Sequence, residues 1–115
     1  MKSRLVCFAA LLVMAEPAFA GEVAERLRAP EAFDLNTPKA PVSLEYCIAD
    51  AISPLGSVAA LNDGPNRVIV TASAPSGRVL VAVELNGART PTRVIGHVYA
   101  PRWNDQMRNE VASCL

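Results

Sequence analysis

Few residues in this 115-residue chain are of a type and spacing that could do covalent chemistry. His97 is the single histidine. As a general base it would need a nucleophile and an orienting acid brought to it by the fold, and no G-x-S-x-G elbow occurs. A structural zinc site takes about four Cys or His ligands. If Cys47 and Cys114 pair with each other, only Cys7, close to the N-terminus, and His97 are left for such a site. The acidic residues around Asp63 lack EF-hand spacing, so Asp63-Gly64 reads as a turn. Gly64, Gly77 and Gly87 are separated turn glycines and not a phosphate-cradling cluster. These patterns predict no catalytic residue, no metal site and no cofactor. His97 reads as a surface or interface residue.

The two cysteines carry the clearest chemical signal, and their meaning depends on the N-terminus. Lys2 and Arg4 precede an apolar run from Leu5 to Ala15, and Ala18-Phe19-Ala20 places small residues where a signal peptidase reads them. This is the pattern of a secretory leader over residues 1–20. The run is too short for the roughly 20 residues of a spanning helix. Cys7 lies near the start of the run, not at its end, so it does not fit a lipid-modified cysteine and is expected to leave with the leader. Cys47 and Cys114 then remain. An even count in an exported chain predicts a disulfide.

Loss of Lys2, Arg4 and Glu16 leaves nine basic against ten acidic residues. That balance offers no net attraction for nucleic acid or an anionic membrane. Eight of the nine remaining basic residues are arginine, a bias expected of a GC-rich bacterial genome. The expected location is therefore periplasmic or extracellular, with no stable membrane span.

Residues 21–41 contain Pro30, Pro38 and Pro41 and little periodicity, and read as an extended or disordered arm. Val23, Ala24 and Leu27 could line one face of a two-turn helix, which Pro30 would stop. Residues 42–115 read as one small domain. Leu44, Cys47, Ile48, Ala51 and Ile52 form an apolar stripe at helical spacing, with Ser43 as a candidate N-cap. Four strand-like runs follow: 57–61, 67–73, 78–85 and 92–100, separated by short Asn-, Asp-, Pro- and Gly-rich turns. Trp103, Met107, Val111, Cys114 and Leu115 mark a closing helix over residues 104–113, with Asn104 or Asp105 at its start. The expected fold is a two-layer α+β domain in the order α-β-β-β-β-α. It is a four-stranded antiparallel meander with two helices on one face, joined by the disulfide.

Period-two alternation assigns Val68, Val70, Val79, Val81, Val83, Leu85, Val94 and Val98 to the face under the helices, with Gly96 admitting a helix or the Trp103 ring. The opposite face would carry Arg67, Ile69, Leu80, Arg93, Ile95, His97 and Tyr99, an apolar centre with a charged and aromatic rim. Such a patch usually marks a contact surface. Four fates are open for it: cover by the arm through Val23, Leu27, Phe33 and Leu35, a dimer or protein partner, a small apolar ligand, or solvent. The functional expectation is a small exported, non-enzymatic binding or accessory protein that uses those seven residues to meet another envelope protein or a second copy of itself. The alternative is a carrier holding a small hydrophobic ligand in a groove between sheet and helices.

Overall fold

The computed structural model of the protein describes residues 21–115. The leader features, Cys7 included, lie outside the described residues. Along the described chain the elements are α1 (residues 21–28), β1 (Phe33–Thr37), α2 (Pro41–Ile52), β2 (Ser57–Asn62), β3 (Arg67–Ser73), β4 (Val79–Asn86), β5 (Thr92–Val98) and α3 (Asn104–Ala112). Short 3₁₀ turns at Ser53–Leu55 and Pro101–Trp103 follow α2 and precede α3.

The α+β class holds, with a fifth strand. All pairings are antiparallel and the strand order is β1-β5-β4-β3-β2. β2 to β5 form the expected meander. β1 comes from the arm and adds to the free side of β5, with Phe33 opposite Gly96 and Thr37 opposite Thr92. Its apolar alternation is only Phe33 and Leu35, bracketed by Pro30 and Pro38, which suits an edge strand. Segment 21–41 is thus a helix, a strand and the first residue of α2. From β1 the chain crosses the whole sheet as α2 to begin β2 at the opposite edge.

α2 starts two residues before the expected N-cap. Pro41 occupies its first turn, where the missing N–H breaks no helical bond, so Ser43 lies inside the helix. Leu44, Ile48 and Ile52 are fully buried on the sheet. Cys47 sits at the stripe's exposed margin, and it reaches the buried Cys114 through a disulfide with Cα atoms 5.8 Å apart. The bridge ties α2 to the chain just beyond α3. Met107 and Val111 extend the same core, with Trp103 and Leu115 packed at its edge. Neither helix has a side-chain N-cap, but the C-cap hydroxyls of Ser53 and Ser113 donate to the Asp50 and Glu110 carbonyls (2.8 and 2.6 Å). The β1 end is fastened to the C-terminus, where Thr37 Oγ1 donates to the Leu115 carbonyl (3.2 Å) and Lys39 Nζ to that of Cys114 (2.9 Å).

Two expectations on the strands are corrected. The ring over Gly96 belongs to Phe33, not Trp103, and a Cβ at position 96 would overlap it. Val79 does not lie under α2. The β3–β4 register slips at Ala72/Ser73, so that Ala72 faces Val81 while Ser73 faces Val79. The extra residue, Leu80, makes a bulge that turns Val79 to the other side of the sheet.

That other side is not free of helix. α1 lies across it, and Val23 and Leu27 pack with Ile69, Val79, Ala82 and Leu61 in a second, smaller cluster. Ala24 is exposed. Val23 and Leu27 thus anchor residues 21–28 of α1 on the sheet. The sheet is therefore covered on both faces, by α2 and α3 on one and by α1 on part of the other.

Candidate functional site

The strand registers sort the α1 side of the sheet into rows. Asn36, Arg93, Asn86 and Arg67 stand in the first, across β1, β5, β4 and β3. Asp34, Ile95, Glu84 and Ile69 form the second, and His97, Ala82 and Thr71 the third. Polarity falls from the first row to the third. This gradient explains why α1 docks at one end only: Val23 and Leu27 find apolar partners there.

The seven residues singled out from the sequence divide between these zones. Ile69, Ile95 and His97 are buried. His97 is 4% exposed, and its Nδ1 lies 2.8 Å from the Ala29 carbonyl at the end of α1, an acceptor that requires the Nδ1–H tautomer. Position 97 is thus an anchor for the segment above it. Leu80 is half-buried at the bulge. Tyr99 is 44% exposed at the rim, with the guanidinium carbons of Arg26 and Arg78 each 5.0 Å from its ring centroid. Arg78 Nη1 also donates to the Tyr99 hydroxyl (2.5 Å), and Arg26 Nε donates to the Val79 carbonyl (3.0 Å). Arg26, Arg78 and Tyr99 thereby pin α1 to the strand ends.

Arg67 and Arg93 lie in the open polar row. Arg67 Nε donates to Glu84 Oε2 (2.5 Å), and its Nη1 to Asp63. The Glu84 hydrogen bond outweighs partial desolvation and, with Asp63, raises the Arg67 pKa above its ordinary value. Arg93 Nη2 donates to Asp34 Oδ2 (2.6 Å), and that bond raises its pKa too. Both guanidiniums are held in place by strand neighbours while other N–H donors stay free, since each carries five.

Beside Arg93 an open groove of about 450 Å³ is lined by Asn36, Asn86, Arg89, Thr90, Pro91 and Arg93. Asn36, Arg89, Thr90 and Arg93 are exposed. Among the described residues Arg89 makes no ion pair. The β4–β5 turn that carries it is shaped by Asn86, whose Oδ1 accepts from the Ala88 N–H (3.0 Å), and by a Gly87 N–H bond to the Asn66 carbonyl (2.7 Å). Two guanidiniums, two amides and a hydroxyl around one hollow make a site rich in donors, suited to a carboxylate or another oxyanion. Sequence reasoning found Arg93 but missed Asn36, Asn86, Arg89 and Thr90. Asn86 and Arg89 fall at the turn between the last two strand-like runs, where no period marks them, and Asn36 joins the sheet only through β1.

A smaller hollow of about 250 Å³ lies next to Tyr99, among Arg26, Pro30, Glu31 and Asn104. The Asn104 Oδ1 there is buried without a donor among the described residues. Between the sheet and α2/α3, by contrast, Leu44, Ile48, Ile52, Val70, Val81, Val83, Val94, Met107 and Val111 are all fully buried and fill the interface. No protein-family model matches the chain, and no curated protein or solved structure matches it either.

Proposed function

We propose that this is an exported, non-enzymatic accessory protein that binds an acidic group of an envelope partner in the groove between Arg89 and Arg93. The observation that carries this reading is the groove itself: convergent donors on rigid strands, with one guanidinium free of any ion pair among the described residues. Preorganised charges at an exposed site favour specificity and fast association. Export is supported by the leader pattern of residues 1–20 and by the Cys47–Cys114 bridge, which belongs to oxidising compartments. Among the described residues no helix is long and apolar enough to cross a membrane. The non-enzymatic reading is supported by His97, the one candidate base, whose ring is buried and committed to the Ala29 carbonyl. No observation favours the carrier reading, because side chains fill the space between sheet and helices.

The test compares capture by the immobilised mature protein with capture by an Arg89→Ala/Arg93→Ala variant, both exposed to envelope extract of the native host. The expected result is a species retained by the first and lost by the second, with retention falling as salt rises. Identical capture by the two proteins would remove the groove from the account.

A further inference from the structure

The two edge strands of the sheet differ in what they carry within them. β1 carries Asp34, is flanked by Pro30 and Pro38, and has Lys39 just beyond it. These are the devices by which natural sheets discourage edge pairing. β2 has Pro54 three residues before it and Asp63 directly after it, but no such device inside the strand. Its sequence is Ser-Val-Ala-Ala-Leu-Asn, without charge, proline or bulge.

The phase of its free hydrogen-bonding groups follows from the β2–β3 hairpin. The Asp63 N–H donates to the Arg67 carbonyl (2.9 Å). In antiparallel pairing such bonded pairs recur at every second residue. Leu61 and Ile69, Ala59 and Thr71, and Ser57 and Ser73 are therefore the pairs that exchange bonds. The Thr71 hydroxyl facing the Ala59 carbonyl (3.5 Å) agrees with this phase. The backbone groups of Val58, Ala60 and Asn62 point outward, and all three residues are exposed. Among the described residues nothing bonds to those groups.

We infer that β2 is the contact edge of a two-fold homodimer, in which β2 of one copy pairs antiparallel with β2 of the other. The spacing is self-complementary. With Ala60 opposite Ala60, Val58 of each copy faces Asn62 of the other, and every outward N–H and C=O of the strand finds a partner, about six bonds in all. No like charges meet, since the residues from Ser57 to Asn62 are uncharged. The small Ala60 side chains at the axis let the strands approach. The second edge is guarded, so assembly closes at two copies and does not propagate. The product is one continuous sheet of twice five strands, with both Arg89–Arg93 grooves left open.

The test is sedimentation equilibrium on the mature, disulfide-bonded protein over a range of concentrations. The expected result is a monomer–dimer equilibrium. Ala60→Lys and Ala60→Glu each place like charges directly across the axis, and each alone should weaken the dimer roughly tenfold or more. Because position 60 is exposed, both variants should keep the parent's circular dichroism and melting temperature. Mixing the two should restore a dimer of one copy of each. A protein that stays monomeric at all concentrations overturns the inference. So does a dimer untouched by either substitution, or a mixture that fails to re-form one.

Discussion

Reducing the Cys47–Cys114 bridge gives the sharpest test of how this small domain is held together. The two cysteines are 67 residues apart in sequence. In the chain-entropy treatment, opening a loop of that length releases about 15 cal/mol/K to the denatured chain, or about 4 kcal/mol at room temperature. That is close to the whole stability of many domains of this size. For a domain of under one hundred residues, a loss of this size lowers the melting temperature by about 20 °C. The structure adds where the reductant acts. Cys114 is buried but Cys47 is exposed, so a small phosphine reaches the bridge without prior unfolding. The assay is thermal unfolding by circular dichroism of the mature protein, oxidised and reduced, with Cys47→Ser/Cys114→Ser as a control. Both thiol-free and reduced forms should melt about 20 °C lower while keeping the native spectrum at 10 °C. A shift below about 5 °C would refute the reasoning, because the packing of α2 and α3 on the sheet would then suffice without the cross-link.

Other consequences follow from particular contacts. Gly96→Ala pushes a methyl into the Phe33 ring and should cost about 1–3 kcal/mol in urea unfolding; Gly21→Ala, with no described residue in reach of the added methyl, should cost nothing measurable. Val23→Ala removes two buried methyl groups from beneath α1 and should cost about 1.5 kcal/mol, with faster amide exchange over residues 21–28 and little change in α2. Deleting residues 21–28 should bare Ile69, Val79 and Ala82 and raise the binding of a hydrophobic dye. If residues 1–20 are the proposed leader, protein exported through them should begin at Gly21 and weigh about 2 Da less than its reduced form, as read by intact mass spectrometry.

Much of the fold could be read from residue spacing because strong periodic signals dominate it. The stripe Leu44, Ile48, Ile52 and the alternation Val81, Val83, Leu85 each point to one face, and cysteine parity joined the two helices independently. Elements without a long period were harder. β1 offers only two alternating apolar residues between prolines, and it is a strand because β5 has a free side for it to join. The bulge at Leu80 is invisible in composition, yet it exchanges Val79 between faces, since a one-residue slip inverts every side chain beyond it. The same limits shaped the site. Arg67 and Arg93 were apparent as charged members of alternating strands. Ile69, Ile95 and His97 were correctly placed opposite the main core, but α1 sits over that end of the sheet and leaves the polar row open. Which half of a face is covered depends on where α1 finds apolar partners, a tertiary fact.

A picture emerges of a sheet whose two sides serve different ends. One is sealed by α2 and α3 and locked by the disulfide. The other is plugged at its apolar end by α1 and open at its polar end around Arg89 and Arg93. The proposed partner site is at the open end and the proposed self-pairing edge is β2, so the two proposals rest on separate surfaces.

The most direct measurement is site-specific photo-crosslinking in the native host, with a photoreactive residue at Thr90 inside the groove or at Tyr46 on the far side of the molecule. Tyr46 is 86% exposed on α2, so it controls for chance encounters. The account predicts a discrete adduct from position 90 that is absent from position 46 and abolished by Arg89→Ala/Arg93→Ala. Adducts from both positions alike, or from neither, would contradict a binding role for the groove.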